Sequence, residues 1–262
     1  MKILVTNDDG VYADGLWALV DALNDVADIV VVAPDREQSA VGTSITLHHP
    51  LRFKEVSPRT KGIKTYSVEG TPADSVILAL SLIVKDGVDL VIAGINEGMN
   101  LGNDVFVSGT VGAALQGNFY GKPSIAISTA VTDGKVRFDA AARTGRLLAK
   151  RALKHALHPG TLLNVNVPFI SLNDIVGVEL TRLGRRIYGD NIQIGNDGKR
   201  DYYWIRRGES LWKEEEGFDI GAIRQSKISI TPLRGNLTNP GHRHPLENMC
   251  TDLGHELYPL EN

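Results

Sequence analysis

The sequence predicts an α/β protein built on a doubly wound, mostly parallel sheet. Two observations carry that reading. Short runs rich in β-branched residues alternate with helix-like segments through the first two-thirds of the chain, which is how buried parallel strands joined by covering helices are written. Polar residues then concentrate directly after the strands, where ligands bind in open parallel sheets.

The elements follow in order. Residues 2–6 are apolar enough for a buried strand, and 15–23 follow with Leu16, Leu19, Val20 and Leu23 at helical spacing. Residues 29–33 form a second buried strand stopped by Pro34, and 53–56 with 63–68 read as edge strands or a hairpin. Thr71-Pro72-Ala73-Asp74 is an N-cap, a proline at the first helical position and an acid at the third, opening a buried helix to about residue 84. The next strand covers 88–93 and is expected to end at Gly94, in a glycine- and asparagine-rich loop running to Asp104. Ser108-Gly109-Thr110-Val111-Gly112-Ala113-Ala114 turns from loop into helix; 124–128 is a strand, 138–155 a long helix, and 161–167 a strand stopped by Pro168. Beyond residue 170 the pattern weakens. Residues 176–183, 201–206 and 227–231 read as strands, 184–198 is rich in Gly, Asn and Asp, and the last thirty residues show no clear period.

Composition narrows the function classes. With 262 residues, 42% hydrophobic and 23% charged, the chain is long enough to bury a sizeable core. No apolar run approaches the length of a membrane span, and the first ten residues turn acidic by Asp8, so the expectation is a cytoplasmic protein without membrane partners. One cysteine, Cys250, excludes an internal disulfide and a multi-thiolate zinc site. A net charge of −3 is poor for gathering a nucleic-acid polymer; the basic cluster of Arg182, Arg185, Arg186, Lys199, Arg200, Arg206 and Arg207 reads as a solvated hairpin or an oligomer contact.

The chemistry should lie after the strands. Asp8 and Asp9 follow the first strand, and two adjacent carboxylates there repel one another unless a cation or hydrogen-bond donors compensate. Oxygen donors of this kind suit Mg²⁺, Mn²⁺ or Ca²⁺. The competing reading is a turn or helix cap, since Asp-Gly is a turn dipeptide. Ser108-Gly109-Thr110 opens a helix with small residues and hydroxyls, a natural phosphate cradle, although either hydroxyl could merely cap the helix. No Gly-x-Gly or Gly-x-Ser-x-Gly occurs, and Gly117 to Pro123 is one residue short of a phosphate-binding loop. His48-His49 and His242-Arg243-His244 lack further ligands and read as surface or hydrogen-bonding residues.

Five blocks together resemble a known family: Val5-Thr6-Asn7-Asp8-Asp9-Gly10, Ala33-Pro34-Asp35-Arg36-Glu37-Gln38-Ser39-Ala40, Gly70-Thr71-Pro72-Ala73-Asp74, Gly94-Ile95-Asn96 with Gly102-Asn103-Asp104, and residues 108–114. In order and spacing they resemble the SurE (survival protein E) family of metal-dependent nucleotidases, and Ser229-Ile230-Thr231-Pro232-Leu233 resembles a later block of it. The resemblance implies a Rossmann-like domain over 1–262, with a core of about 1–170 plus 220–235, an extended hairpin of about 184–215 and a C-terminal arm of about 236–262. It implies one divalent cation per subunit (Mg²⁺, Mn²⁺ or Ca²⁺) held by Asp8, Asp9, Ser39 and Asn96. Asn96, Ser108, Gly109 and Thr110 would bind phosphate, and Asp9, with Asp8 as alternative, would act on the attacking water. The implied reaction is hydrolysis of nucleoside monophosphates to nucleoside and phosphate, a 5′-nucleotidase activity with 3′-nucleotidase and short-chain exopolyphosphatase activities as further options. A homodimer or homotetramer is the implied assembly. Glu97 and Met99 occupy positions that vary in the family and receive no role.

Two rival readings make different demands. A haloacid-dehalogenase-like phosphatase needs Asp-x-Asp, whereas this chain has Asp8-Asp9-Gly10. A Mg²⁺-binding receiver-like regulatory domain without turnover also uses an acidic pair after its first strand, but its phosphoacceptor would fall on Gly94.

Overall fold

The computed structural model describes residues 1–155, 157–187, 192–205, 211–212, 216–238 and 243–258. From the N-terminus the elements are β1 (Lys2–Thr6), α1 (Asp14–Leu23), β2 (Asp28–Pro34), β3 (Phe53–Glu55), β4 (Lys64–Val68), α2 (Pro72–Leu78), β5 (Leu90–Glu97), α3 (Gly109–Phe119) and β6 (Ser124–Thr129). They continue with β7 (Val131–Thr132), β8 (Lys135–Val136), α4 (Asp139–His155), β9 (Leu162–Val167), β10 (Gly177–Leu180), β11 (Arg186–Ile187), β12 (Ile192–Asn196), β13 (Asp201–Ile205), β14 (Leu211–Trp212), α5 (Asp219–Arg224), β15 (Lys227–Leu233) and α6 (Arg243–Leu257).

Nine strands form one sheet in the order β10-β15-β9-β6-β5-β1-β2-β4-β3. It is parallel except where β15 meets β9 and β3 meets β4. The side-chain period of two divides the core. Ile3, Val5, Ile29 and Val31 face α1 and α4, while Leu4, Val30 and Val32 face α2 and α3. Both layers are apolar, which is why the central strands read as continuous hydrophobic runs. No described helix is long and apolar enough to cross a membrane.

The chain lays β2 and β4 on one side of β1, then returns through α2 to lay β5 on the other side. The strand order therefore reverses between β1 and β5, and the crevice outside their carboxyl ends is the place where such a sheet binds ligands.

Most expected elements are present, including the hairpin of β3 and β4 at the sheet edge. The helix at 72 opens as expected, with Thr71 accepting from Asp74 N–H and Asp74 reaching back to Thr71 N–H; its expected second half, Ala79–Ile83, is a π-helical turn instead. Two further expectations are corrected. The strand expected to end at Gly94 runs on to Glu97, with its register against β6 shifting between Ala93 and Asn96. The extra residues re-aim the end of the strand, as a bulge does. The last thirty residues, expected to be without period, contain α6, whose Leu246, Met249, Leu253 and Leu257 recur at helical spacing and are all exposed. Within 184–215 the described residues form the β12–β13 and β11–β14 ladders; Arg206 and Arg207 lie outside the described residues.

Candidate active site

The loop after β1 is shaped by Asn7. Its amide donates to Gly10 O at 3.0 Å and its Oδ1 accepts from Gly10 N–H at 3.2 Å. This buried reciprocal turn, an Asx-type local bond, projects Asp8 and Asp9 from the strand end. The same loop is sewn to the one after β2: Gln38 N–H donates to Asp8 O at 2.7 Å, and Val11 N–H donates to Pro34 O at 2.8 Å. Sequence reasoning singled out Asn7 only as a motif member; its spacing to Gly10 was the available signal for this role.

Asp8 is buried, and its Oδ1 accepts from the Thr110 hydroxyl at 2.5 Å. Thr110 stands in the first turn of α3, so the helix N-terminus faces the carboxylate, with its dipole favouring the charged form. Close approach requires Gly109: a Cβ there would sit 2.8 Å from Asp8 Cβ and 2.9 Å from its Oδ2. Ser108 is the N-cap, its Oγ accepting from Val111 N–H at 3.1 Å. Both hydroxyls of the expected phosphate cradle therefore have protein partners, one capping the helix and one holding Asp8. What the cradle presents to a ligand is backbone, the N–H groups of a helix start.

Asp9 is pushed up to about 7, first by burial and then by the charges of Asp8, Glu97 and Glu37, against the backbone N–H of Glu97, which favours its charged form. Burial likewise raises Asp8, against the pull of the Thr110 hydrogen bond. Glu97, a position without a motif signal, thus belongs to the electrostatics of the site. So does Glu37, whose Oε1 accepts from the Ser39 hydroxyl at 2.6 Å. Asn96, on the re-aimed end of β5, donates its amide to Gly98 O at 2.6 Å. Its Oδ1 is the polar atom left for a ligand.

The expected residues are therefore assembled from four segments: Asp8 and Asp9 after β1, Ser39 after β2, Asn96 at the end of β5, and Ser108, Gly109 and Thr110 at the start of α3. A divalent cation fits them on one specific observation. Asp9 Oδ2 is buried with no hydrogen-bond partner, beside a second buried carboxylate, an arrangement that calls for a counter-charge. Among the described residues no group of three or more His, Cys, Asp or Glu could hold a metal, so a cation here would need neutral oxygens such as Ser39 Oγ and Asn96 Oδ1 beside the two carboxylates. His48 and His49 are exposed, Cys250 is an exposed free thiol, and His242 lies outside the described residues. Gly94, the receiver phosphoacceptor position, lies inside β5 at φ 130°, where a Cβ would meet Ile127 O at 2.3 Å. That reading has no support.

A family model described as Survival protein SurE matches residues 3–190. The chain belongs to the SurE family. It is 44% identical over 238 residues to the 5′-nucleotidase SurE of Dehalococcoides mccartyi strain CBDB1, covering 90% of each chain. It is 45% identical over 240 residues to that of Geobacter sulfurreducens, covering 91% of this chain and 90% of the relative, and 45% identical over 240 residues to that of Vibrio cholerae strain El Tor Inaba N16961, covering 91% and 93%. A crystal structure of the SurE protein from Aquifex aeolicus matches the fold with a TM-score of 0.83 at 37% identity, over 95% of this chain and 99% of that one. The family model ends at residue 190, whereas the matches to the relatives cover 90–91% of the chain and that to the solved structure 95%.

Proposed function

We propose that this SurE-family chain is a phosphomonoesterase that hydrolyses nucleoside monophosphates to nucleoside and phosphate with the help of one divalent cation. The observation that carries the reading is the orphaned Asp9 Oδ2 beside buried Asp8, facing a helix N-terminus at the switch point of the sheet. The names of the relatives, 5′-nucleotidase SurE at 44–45% identity, support it.

Asp8, Asp9, Ser39 Oγ and Asn96 Oδ1 would hold the cation, Mg²⁺, Mn²⁺ or Ca²⁺ by the hardness of the donors. When bound, it supplies a Lewis acid toward a phosphate oxygen and a means of lowering the pKa of water. The chain's own residues do the remainder. Thr110 favours the charged form of Asp8 against the effect of burial and holds its carboxylate in place. Glu37 takes the Ser39 proton into its hydrogen bond and so turns the Oγ lone pairs outward. The N–H of Gly109, at the start of α3, would receive a remaining phosphate oxygen as charge builds on it. Asp9, with Asp8 as alternative, would orient or deprotonate the attacking water.

An assembly of two or four copies is part of the proposal. The apolar stripe of α6 and the exposed Ile192, Ile194, Tyr203, Trp204 and Ile205 of the β12–β13 hairpin support it, because such surface is normally covered by a partner. A cavity of about 950 Å³ on the flank of α3, walled by Val105, Phe106, Leu115 and Leu237, is lined by none of the four oxygen donors.

The test is phosphate release from a panel of nucleoside 5′- and 3′-monophosphates and short polyphosphates, with EDTA and after return of Mg²⁺ or Mn²⁺. Turnover restored by metal in the wild type and missing from Asp9→Asn is the expected result. Absence of release from every substrate with every metal overturns the reading.

A further inference from the structure

Asp219, the first residue of α5, is fully buried and gathers three backbone donors. Its Oδ2 accepts from Gly102 N–H at 2.8 Å; its Oδ1 accepts from Gly184 N–H at 2.8 Å and from Ile220 N–H at 2.9 Å. Burial raises its pKa and the three donors oppose that rise. A desolvated carboxylate is a costly way to fill space, and removing it leaves three donors to be satisfied otherwise. What it connects gives the reason for its presence. Gly102 lies 117 residues earlier in the chain and opens the 3-10 turn Gly102–Phe106.

From Gly102 the 3-10 turn Gly102–Phe106 leads directly to the candidate phosphate cradle. Asp104 O accepts from Val107 N–H at 3.1 Å and from Ser108 N–H at 3.0 Å, and Ser108 then caps α3. Gly109 and Thr110 follow, against Asp8. The other end of the same loop is fixed separately. Asn100 N–H donates to Asn166 Oδ1 at 2.8 Å, its amide donates to Ser128 Oγ at 2.9 Å, and Asn100 O accepts from Asn164 and Asn166. Asn100 ties the loop to the ends of β6 and β9, next to Asn96. Asp219 ties the half that leads into α3.

We propose that Asp219 is a positioning residue for the phosphate end of the site, holding Gly102 and through it the Ser108–Gly109 turn. The proposal rests on the nucleotidase reading for the identity of the ligand, an inorganic or esterified phosphate. Asp219 lies outside residues 3–190, the segment matched by the family model, and touches none of the four oxygen donors proposed for the cation.

The experiment compares wild type with Asp219→Asn in the full chain. An amide of the same size retains one acceptor oxygen but turns an N–H₂ donor toward either Gly102 or Gly184. Binding of inorganic phosphate to the Mn²⁺-loaded protein is measured by calorimetry, binding of Mn²⁺ to the phosphate-free protein by electron paramagnetic resonance, and kcat and KM on a nucleoside monophosphate alongside. In a folded variant, phosphate affinity and kcat/KM are expected to fall together by about tenfold, the scale of a small misplacement of binding groups, while Mn²⁺ affinity stays within about twofold. Phosphate affinity equal to wild type overturns the proposal, and so does an equal loss of Mn²⁺ and phosphate affinity, which would mean general loosening. Should Asp219→Asn not fold, Asp219→Glu keeps the charge and displaces it by one methylene; it is expected to lose phosphate affinity selectively, and unchanged affinity overturns the proposal. Wild type that binds phosphate without turning over any nucleotide would fail the nucleotidase reading and leave this comparison intact.

Discussion

The Thr110 hydroxyl meets Asp8 Oδ1 at 2.5 Å, fully inside the protein, so the first turn of α3 and the loop after β1 are fixed to each other by one charge-assisted hydrogen bond. Thr110→Val keeps the shape and removes the donor. Loss of a buried bond to a charged group is worth about 1.5–3 kcal/mol, so Mn²⁺ affinity and kcat/KM are expected to fall by about tenfold to a hundredfold with the fold retained. Titration calorimetry with steady-state kinetics checks this; wild-type metal affinity would refute it.

Gly109→Ala inserts a methyl group within 2.8 Å of Asp8 Cβ. One side must move, and the helix N-terminus is the anchored partner. We expect Asp8 to be displaced, with activity lowered about a hundredfold and metal binding weakened. A variant with normal turnover would mean that α3 yields instead.

Stability should depend on pH through Asp9. Its folded-state value of about 7 lies above the ordinary 3.8, so folding favours the protonated acid. That contribution is complete below the unfolded pKa and is lost as pH rises through about 7. The metal-free protein is expected to melt higher at pH 5 than at pH 8, by a free energy on the order of a few kcal/mol, and the difference should shrink in Asp9→Asn. Mg²⁺ or Mn²⁺ should raise the midpoint most at pH 8, where the carboxylate is ionised. Scanning calorimetry with and without EDTA decides; identical pH dependence in wild type and Asp9→Asn would remove Asp9 as the cause.

Charging the exposed stripe of α6 with Leu246→Glu and Leu253→Glu tests the assembly. These side chains are exposed in the single chain, so the fold should survive within about 0.5 kcal/mol while the oligomer dissociates. Sedimentation velocity reads the outcome; an unchanged mass would take α6 out of the interface.

Local chemistry made much of this protein legible in its amino-acid order. The runs at β1, β2, β5, β6 and β9 are apolar because both faces of the sheet are covered, and Thr71-Pro72-Ala73-Asp74 carries its whole capping box within four residues. Asp8, Asp9 and the turn at Ser108 could be named because they follow a strand or open a helix, whereas Ser39 and Asn96 were named as ligands through the family resemblance. The continuation of β5 to Glu97 was not legible, since Gly94 reads as a strand end unless the register against β6 is known. Nor was α6, where the apolar residues at 246, 249, 253 and 257 lie within a segment that buries none of them.

Only the tertiary structure decided what the named residues do to one another. Thr110 lies 102 residues from Asp8 and Asp219 lies 117 from Gly102, and no local pattern encodes contacts of that span. The raised Asp9 likewise arises from desolvation, from neighbouring Asp8, and from Glu97 at the end of β5 and Glu37 after β2. Periodicity, caps and turns are set by neighbours within a few residues and are therefore written in the sequence. Burial, charge proximity and hydrogen bonds across the sheet exist only once the chain has folded back upon itself.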